Sequence, residues 1–75
     1  MSIKQDFAKM IKKFARKLKN ENEIFRNRFI NHIFGDNFFS LEDKKIAARI
    51  ILKEWKDIMS EELKEFLEYT LKRKI

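Results

Sequence analysis

No proline interrupts this chain, and its 75 residues contain one glycine, Gly35. A chain with almost nothing to break a helix is steered towards all-α folds, provided its apolar residues recur at helical spacing. They do so most clearly from Ser40 to Met59. Wound at about 3.6 residues per turn, Leu41, Ala48, Leu52, Trp55 and Met59 align, with Ala47, Ile51 and Ile58 beside them. Ile46 and Ile50 form a second apolar ridge. A surface helix needs a single stripe, so a helix with two ridges belongs at the centre.

Capping residues divide the remainder. Ser2 with Gln5, Asn20 with Glu23 and Ser40 with Asp43 each place a capping side chain three residues before an acceptor. Ser60 precedes Glu61 and Glu62, acids that suit the positive end of a helix dipole. Gly35 stands where a C′ glycine would end a helix. The expected fold is all-α, a single domain over residues 1–75. It is a compact bundle of four short helices, at about 3–19, 21–34, 41–58 and 61–73, with the third central.

The expected core follows from the same spacing. Helix 1 offers Ile3, Phe7, Met10, Ile11, Phe14 and Leu18, and helix 2 offers Phe25, Phe29, Ile30, Ile33 and Phe34. Helix 4 offers Leu63, Phe66, Leu67, Thr70 and Leu71. A chain of this length buries only about 60% of its unfolded surface, so tight packing, ion pairs or self-association must support it. Eight phenylalanines argue for a real core, while a charged fraction of 40% fits solvated helix faces or a heat-adapted source.

Several chemistries lose their materials. With no cysteine and one histidine, disulfides, thiolate sites and ordinary transition-metal sets are excluded or nearly so. His32 and Asp36, four apart, make at most a two-ligand match. One glycine rules out a glycine-rich phosphate loop, and acid pairs such as Glu61–Glu65 are ordinary helix-surface spacing. The expectation is a non-enzyme with no catalytic residues, no metal and no cofactor. No apolar run approaches the roughly 18 residues of a membrane span, and the N-terminus lacks an apolar signal region. A cytoplasmic location is expected.

The net charge of +6 is unevenly spread. Residues 1–35 hold nine Lys and Arg against three acids, while residues 36–75 hold nine of each. Helix 1 concentrates Lys9, Lys12, Lys13, Arg16, Lys17 and Lys19 opposite its apolar stripe. Clustered cations of this kind suit nucleic-acid phosphates. A solvated face explains them as well, and a membrane surface ranks lower because a docked helix has no apolar face left for lipid.

Helix 2 adds Asn27, Arg28, Asn31 and His32 on its polar face. Asn and Arg are the side chains that bond adenine and guanine edges bidentately, so this set is a candidate base reader. Helix 3 contributes a stripe of Lys45, Arg49, Lys53 and Lys56, which would merge with that of helix 1 if the two lie side by side. A helix-turn-helix is disfavoured. Helix 3 is too apolar to serve as a recognition helix, and helix 4 opens with Glu61, Glu62, Glu65 and Glu68.

The expected partner is therefore nucleic acid, DNA or RNA, bound by an accessory or regulatory protein. The alternative is a protein–protein module of inhibitor, immunity or adaptor type, or an oligomerising bundle such as a homodimer. That alternative rests on Phe38 and Phe39, two aromatics in a loop where polar residues are usual. They either cap the end of the bundle, the preferred reading, or meet a partner.

Overall fold

The computed structural model describes residues 3–35 and 37–73, with side chains from residue 6 onward. Four helices follow one another: α1 (Ile3–Leu18), α2 (Glu23–Gly35), α3 (Leu41–Glu54) and α4 (Glu61–Lys72). No strand occurs among the described residues. The architecture is the compact all-α bundle that the periodicity predicts, measuring 31 × 25 × 20 Å. α3 is the axis: it packs extensively on α1 and α4 and more narrowly on α2.

The two ridges of α3 explain that position. Ala47, Ala48, Ile51 and Trp55 are buried, and Ile50 and Leu52 pack against the core from either side. α1 brings Ile11 and Ala15, both fully buried, with Phe7 and Leu18 beside them. Ala15 was absent from the expected core. An alanine carries little hydrophobic signal, but here its small size lets α3 approach closely. α2 contributes Ile30 and Ile33, and α4 contributes Leu67 and Thr70. The Thr70 hydroxyl donates to the Phe66 carbonyl at 3.0 Å, the usual way a helix satisfies a buried threonine.

Several expected core residues are substantially exposed: Met10, Phe14, Phe25, Ile58 and Phe66. The physical reason is that α2 touches the bundle narrowly. Its neighbours on α1 and α4 are thus covered on one side only. The expectation for Ile3 concerns a side chain outside the described set.

The helix ends hold most of the differences from expectation. Ser40 and Ser60 cap as predicted, their hydroxyls accepting from the Asp43 and Leu63 N–H groups at 3.1 and 3.2 Å. α2 begins at Glu23 rather than residue 21, because Asn22 and not Asn20 is its cap. The Asn22 side chain accepts from the Ile24 N–H at 2.9 Å. Gly35 is the last residue of α2 and has no positive φ, so it does not serve as a left-handed C′ residue. α3 stops at Glu54 instead of continuing to residue 58. Trp55 leaves helical geometry at φ −107° and ψ 19°, and residues 55–58 form a turn leading to Ser60. The Ser2–Gln5 pairing, Asp36 and Lys74 lie outside the described residues.

Trp55 explains the early stop of α3. Its indole N–H donates to the Ala15 carbonyl at 2.6 Å, which anchors the end of α3 against α1. Its ring lies 6.2 Å from Phe29, which lies 6.1 Å from Phe14, so one aromatic chain links α3, α2 and α1. Arg26 closes the corner between α1 and α2. Its guanidinium donates to the carbonyls of Leu18 and Lys19, each at 3.3 Å, and to that of Glu21. These are carbonyls at and just past the end of α1, which a helix end leaves without intrahelical donors.

Candidate nucleic-acid interface

Because α1 and α3 pack side by side, their basic stripes meet. Lys12 of α1 shares a shallow depression of about 190 Å³ with Arg49, Ile50, Lys53 and Glu54 of α3. Lys9 and Lys12 border a second, more open hollow over Ile50 and Ala8. Lys9, Lys12, Arg49 and Lys53 are exposed. Lys45 lies one turn before Arg49 on the same stripe and is half-buried.

A sheltered carboxylate enters this cationic face from the end of α3. The Arg16 Nε–H donates to Glu54, at 3.3 Å to Oε1 and 3.4 Å to Oε2. The Glu54 side chain is only 13% exposed and that of Arg16 62%, so the sheltered acid holds an exposed guanidinium in place. With one partner so open to water, the pair contributes at most about 1 kcal/mol. Its larger effect is to remove one positive charge from the face. Spacing along α3 hides this role, because Glu54 reads as an ordinary acid next to Lys53.

The other α1 cations sit apart from that depression. Lys13 and Lys17 lie on the turns beside Met10 and Phe14, towards α2, and Lys19 follows the end of the helix. The expected polar set of α2 is exposed but does not gather at one point. Asn27 borders a hollow lined by Trp55, Ile58 and Leu63, and Asn31 borders another with Phe34 and Phe66. His32 lines a cleft on the opposite flank with Met10, Phe14 and Phe39. Arg28 stands one turn before His32. The set is thus divided between the α4 side and the α1 side of the helix.

The two loop aromatics have separate fates. Phe39 is half-buried, its ring tilted against Phe7 at 5.5 Å and edge-on to His32 at 5.9 Å. It caps the bundle end. Phe38 leans on Phe39 at 5.1 Å and is 84% exposed, the most exposed large apolar side chain among the described residues.

Among the described residues, no group of three or more His, Cys, Asp or Glu is placed to hold a metal ion. No helix among them is long and apolar enough to cross a membrane. Ile11 and Ala15 of the α1 apolar face are buried in the core, while Met10 and Phe14 of the same face stay exposed. No protein-family model, curated protein or solved structure matches this chain.

Proposed function

We propose that this protein is a small non-enzymatic accessory or regulatory module of the cytoplasm that binds nucleic acid through the α1–α3 face. The observation that carries the reading is the meeting of Lys12 with Arg49 and Lys53 around one depression. Lys9 adds a fourth exposed cation beside them. Four cations at the junction of two rigid helices match the charge pattern of a phosphate backbone, and that contact requires no base recognition. The division of Asn27, Arg28, Asn31 and His32 over two flanks favours backbone binding over base reading from α2. The face offers no exposed aromatic ring, which favours duplex over single strands, since single strands are ordinarily held by stacking.

A titration of the full chain against duplex and single-stranded DNA and RNA at two salt concentrations tests this. Binding that is strongest for duplex and falls steeply with salt is expected. The Lys12→Ala/Arg49→Ala/Lys53→Ala variant should lose most affinity and reduce the salt slope by about 3, roughly one per phosphate contact. Absence of binding at low salt, or a triple variant that binds as well as the parent, rejects the reading.

One observation favours a protein partner as a second reading: Phe38 presents its ring to solvent on a base of Phe39. An inhibitor, immunity-type or adaptor role would use it as an anchor. Loss of a captured partner on Phe38→Ala, in a protein that stays folded, would support that role.

A further inference from the structure

The exposed apolar surface is concentrated on one side. Of the eight large apolar side chains exposed among the described residues, five lie on α2 or against it, Met10, Phe14, Ile24, Phe25 and Phe66, and Tyr69 follows Phe66 by three on α4. α2 carries apolar residues on both flanks and on its outside, yet only Ile30 and Ile33 are buried.

Two patches of opposite charge stand on either flank of α2. The first is the α1–α2 cleft, about 250 Å³, floored by Ile11 and Ile33 and walled by Met10, Phe14 and Phe29. Lys13 and Lys17 follow Met10 and Phe14 by three residues, and Arg28 precedes His32 by four, so three exposed cations lie within a helical turn of residues that line it. Asp6, one turn before Met10, is the acid on that flank of α1. The second patch is the Phe66–Tyr69 strip of α4, where Phe66 meets Phe34 of α2 edge-on at 5.5 Å. Glu62 and Glu65 precede these two rings by four residues each, and Arg73 lies at the helix end.

We propose that this side of the molecule binds a second copy of the chain, each copy laying the Phe66–Tyr69 strip of α4 over the α1–α2 cleft of the other. Charge complementarity selects this occupant, with Glu62 and Glu65 facing Lys13, Lys17 and Arg28. A foreign acidic helix or an acyl chain would fill the cleft and leave the α4 strip bare, whereas a second copy covers both patches with one interface. In this arrangement both contacts form at once across a two-fold axis that passes by α2, so the assembly is a closed dimer. The α1–α3 cationic face lies on the other flank of α1 and stays open in both copies. The dimer therefore stands independently of the nucleic-acid reading.

Sedimentation equilibrium of the full chain without nucleic acid, from roughly 1 μM to 1 mM, tests the proposal. The mass should rise from 9.2 kDa to twice that value with concentration. Glu62→Lys/Glu65→Lys and Lys13→Glu/Lys17→Glu should each weaken the dimer by about tenfold or more, since like charges then face each other. The quadruple variant, with the charges exchanged, should recover to within about threefold of the parent. All four side chains are exposed, so each variant should stay folded, which circular dichroism checks. A single 9.2 kDa species at every concentration overturns the proposal. So does a dimer indifferent to the reversals, or weakened by both with no recovery on exchange. If a strictly monomeric protein instead takes dodecanoate, read through Trp55 emission by way of Phe29, the cleft belongs to an acyl chain and the proposal fails.

Discussion

The Trp55 indole donates to the Ala15 carbonyl across 2.6 Å, joining two residues 40 positions apart, while that carbonyl also accepts the Lys19 N–H at 3.0 Å. This double acceptance fastens the last turn of α1 to the end of α3. Trp55→Phe removes the indole donor but leaves the carbonyl satisfied within α1. The expected loss is therefore about 1–2 kcal/mol, one hydrogen bond plus a small void. Trp55→Ala should lose about 3–5 kcal/mol, enough to unfold much of a chain this small. Urea denaturation of the two variants measures the difference.

Arg26 gives a second prediction. Arg26→Met keeps the apolar stem of the side chain and removes the donors to Leu18, Lys19 and Glu21. Those carbonyls lie near water, so the expected loss is about 1 kcal/mol. Amide exchange should accelerate in the last turn of α1 and the first turn of α2, with α4 unchanged.

Gly35 separates two backbone geometries. It ends α2 without a positive φ, and a Cβ added there meets nothing within 4 Å. Gly35→Ala should therefore raise stability by about 0.5 kcal/mol through a less disordered unfolded state. A loss of about 1 kcal/mol in thermal denaturation would be the mark of a left-handed residue instead.

The loop aromatics should respond differently. Phe38→Ala changes a side chain that is 84% exposed and should shift stability by less than about 0.5 kcal/mol. Phe39→Ala removes a ring packed on Phe7 and His32 and should cost about 2 kcal/mol or more. Paired chemical denaturation curves check both.

Glu54 makes the electrostatic case testable from the opposite direction. Glu54→Gln frees the Arg16 guanidinium and adds one unit of positive charge to the α1–α3 face. Affinity for duplex DNA at low salt should rise by about threefold to tenfold, with a steeper salt slope. Unchanged affinity would separate Arg16 from the binding surface.

The number of helices, their order and the central place of α3 were legible in the chain, because spacing at 3.6 residues reports which faces need covering. The caps at Ser40 and Ser60 were legible for the same local reason: a hydroxyl three residues before an N–H is a contact within one turn. The uneven charge was also visible, since position along the chain determines it. Local pattern misassigned Asn20, Gly35 and the end of α3. Asn20 lost to Asn22 because α2 begins two residues later than the nearest polar side chain after α1 suggested. The end of α3 was set by a bond from Trp55 to another helix.

Periodicity by itself determined that this chain forms four helices around the stretch from Leu41 to Trp55, and composition that its excess positive charge rides on the first two. Only tertiary packing decided that Lys12 meets Arg49 and Lys53, that Glu54 neutralises Arg16, and that Met10, Phe14 and Phe66 stand half outside the core. Each of these depends on the distances between helices, which arise from side chains remote in sequence and which no local spacing encodes.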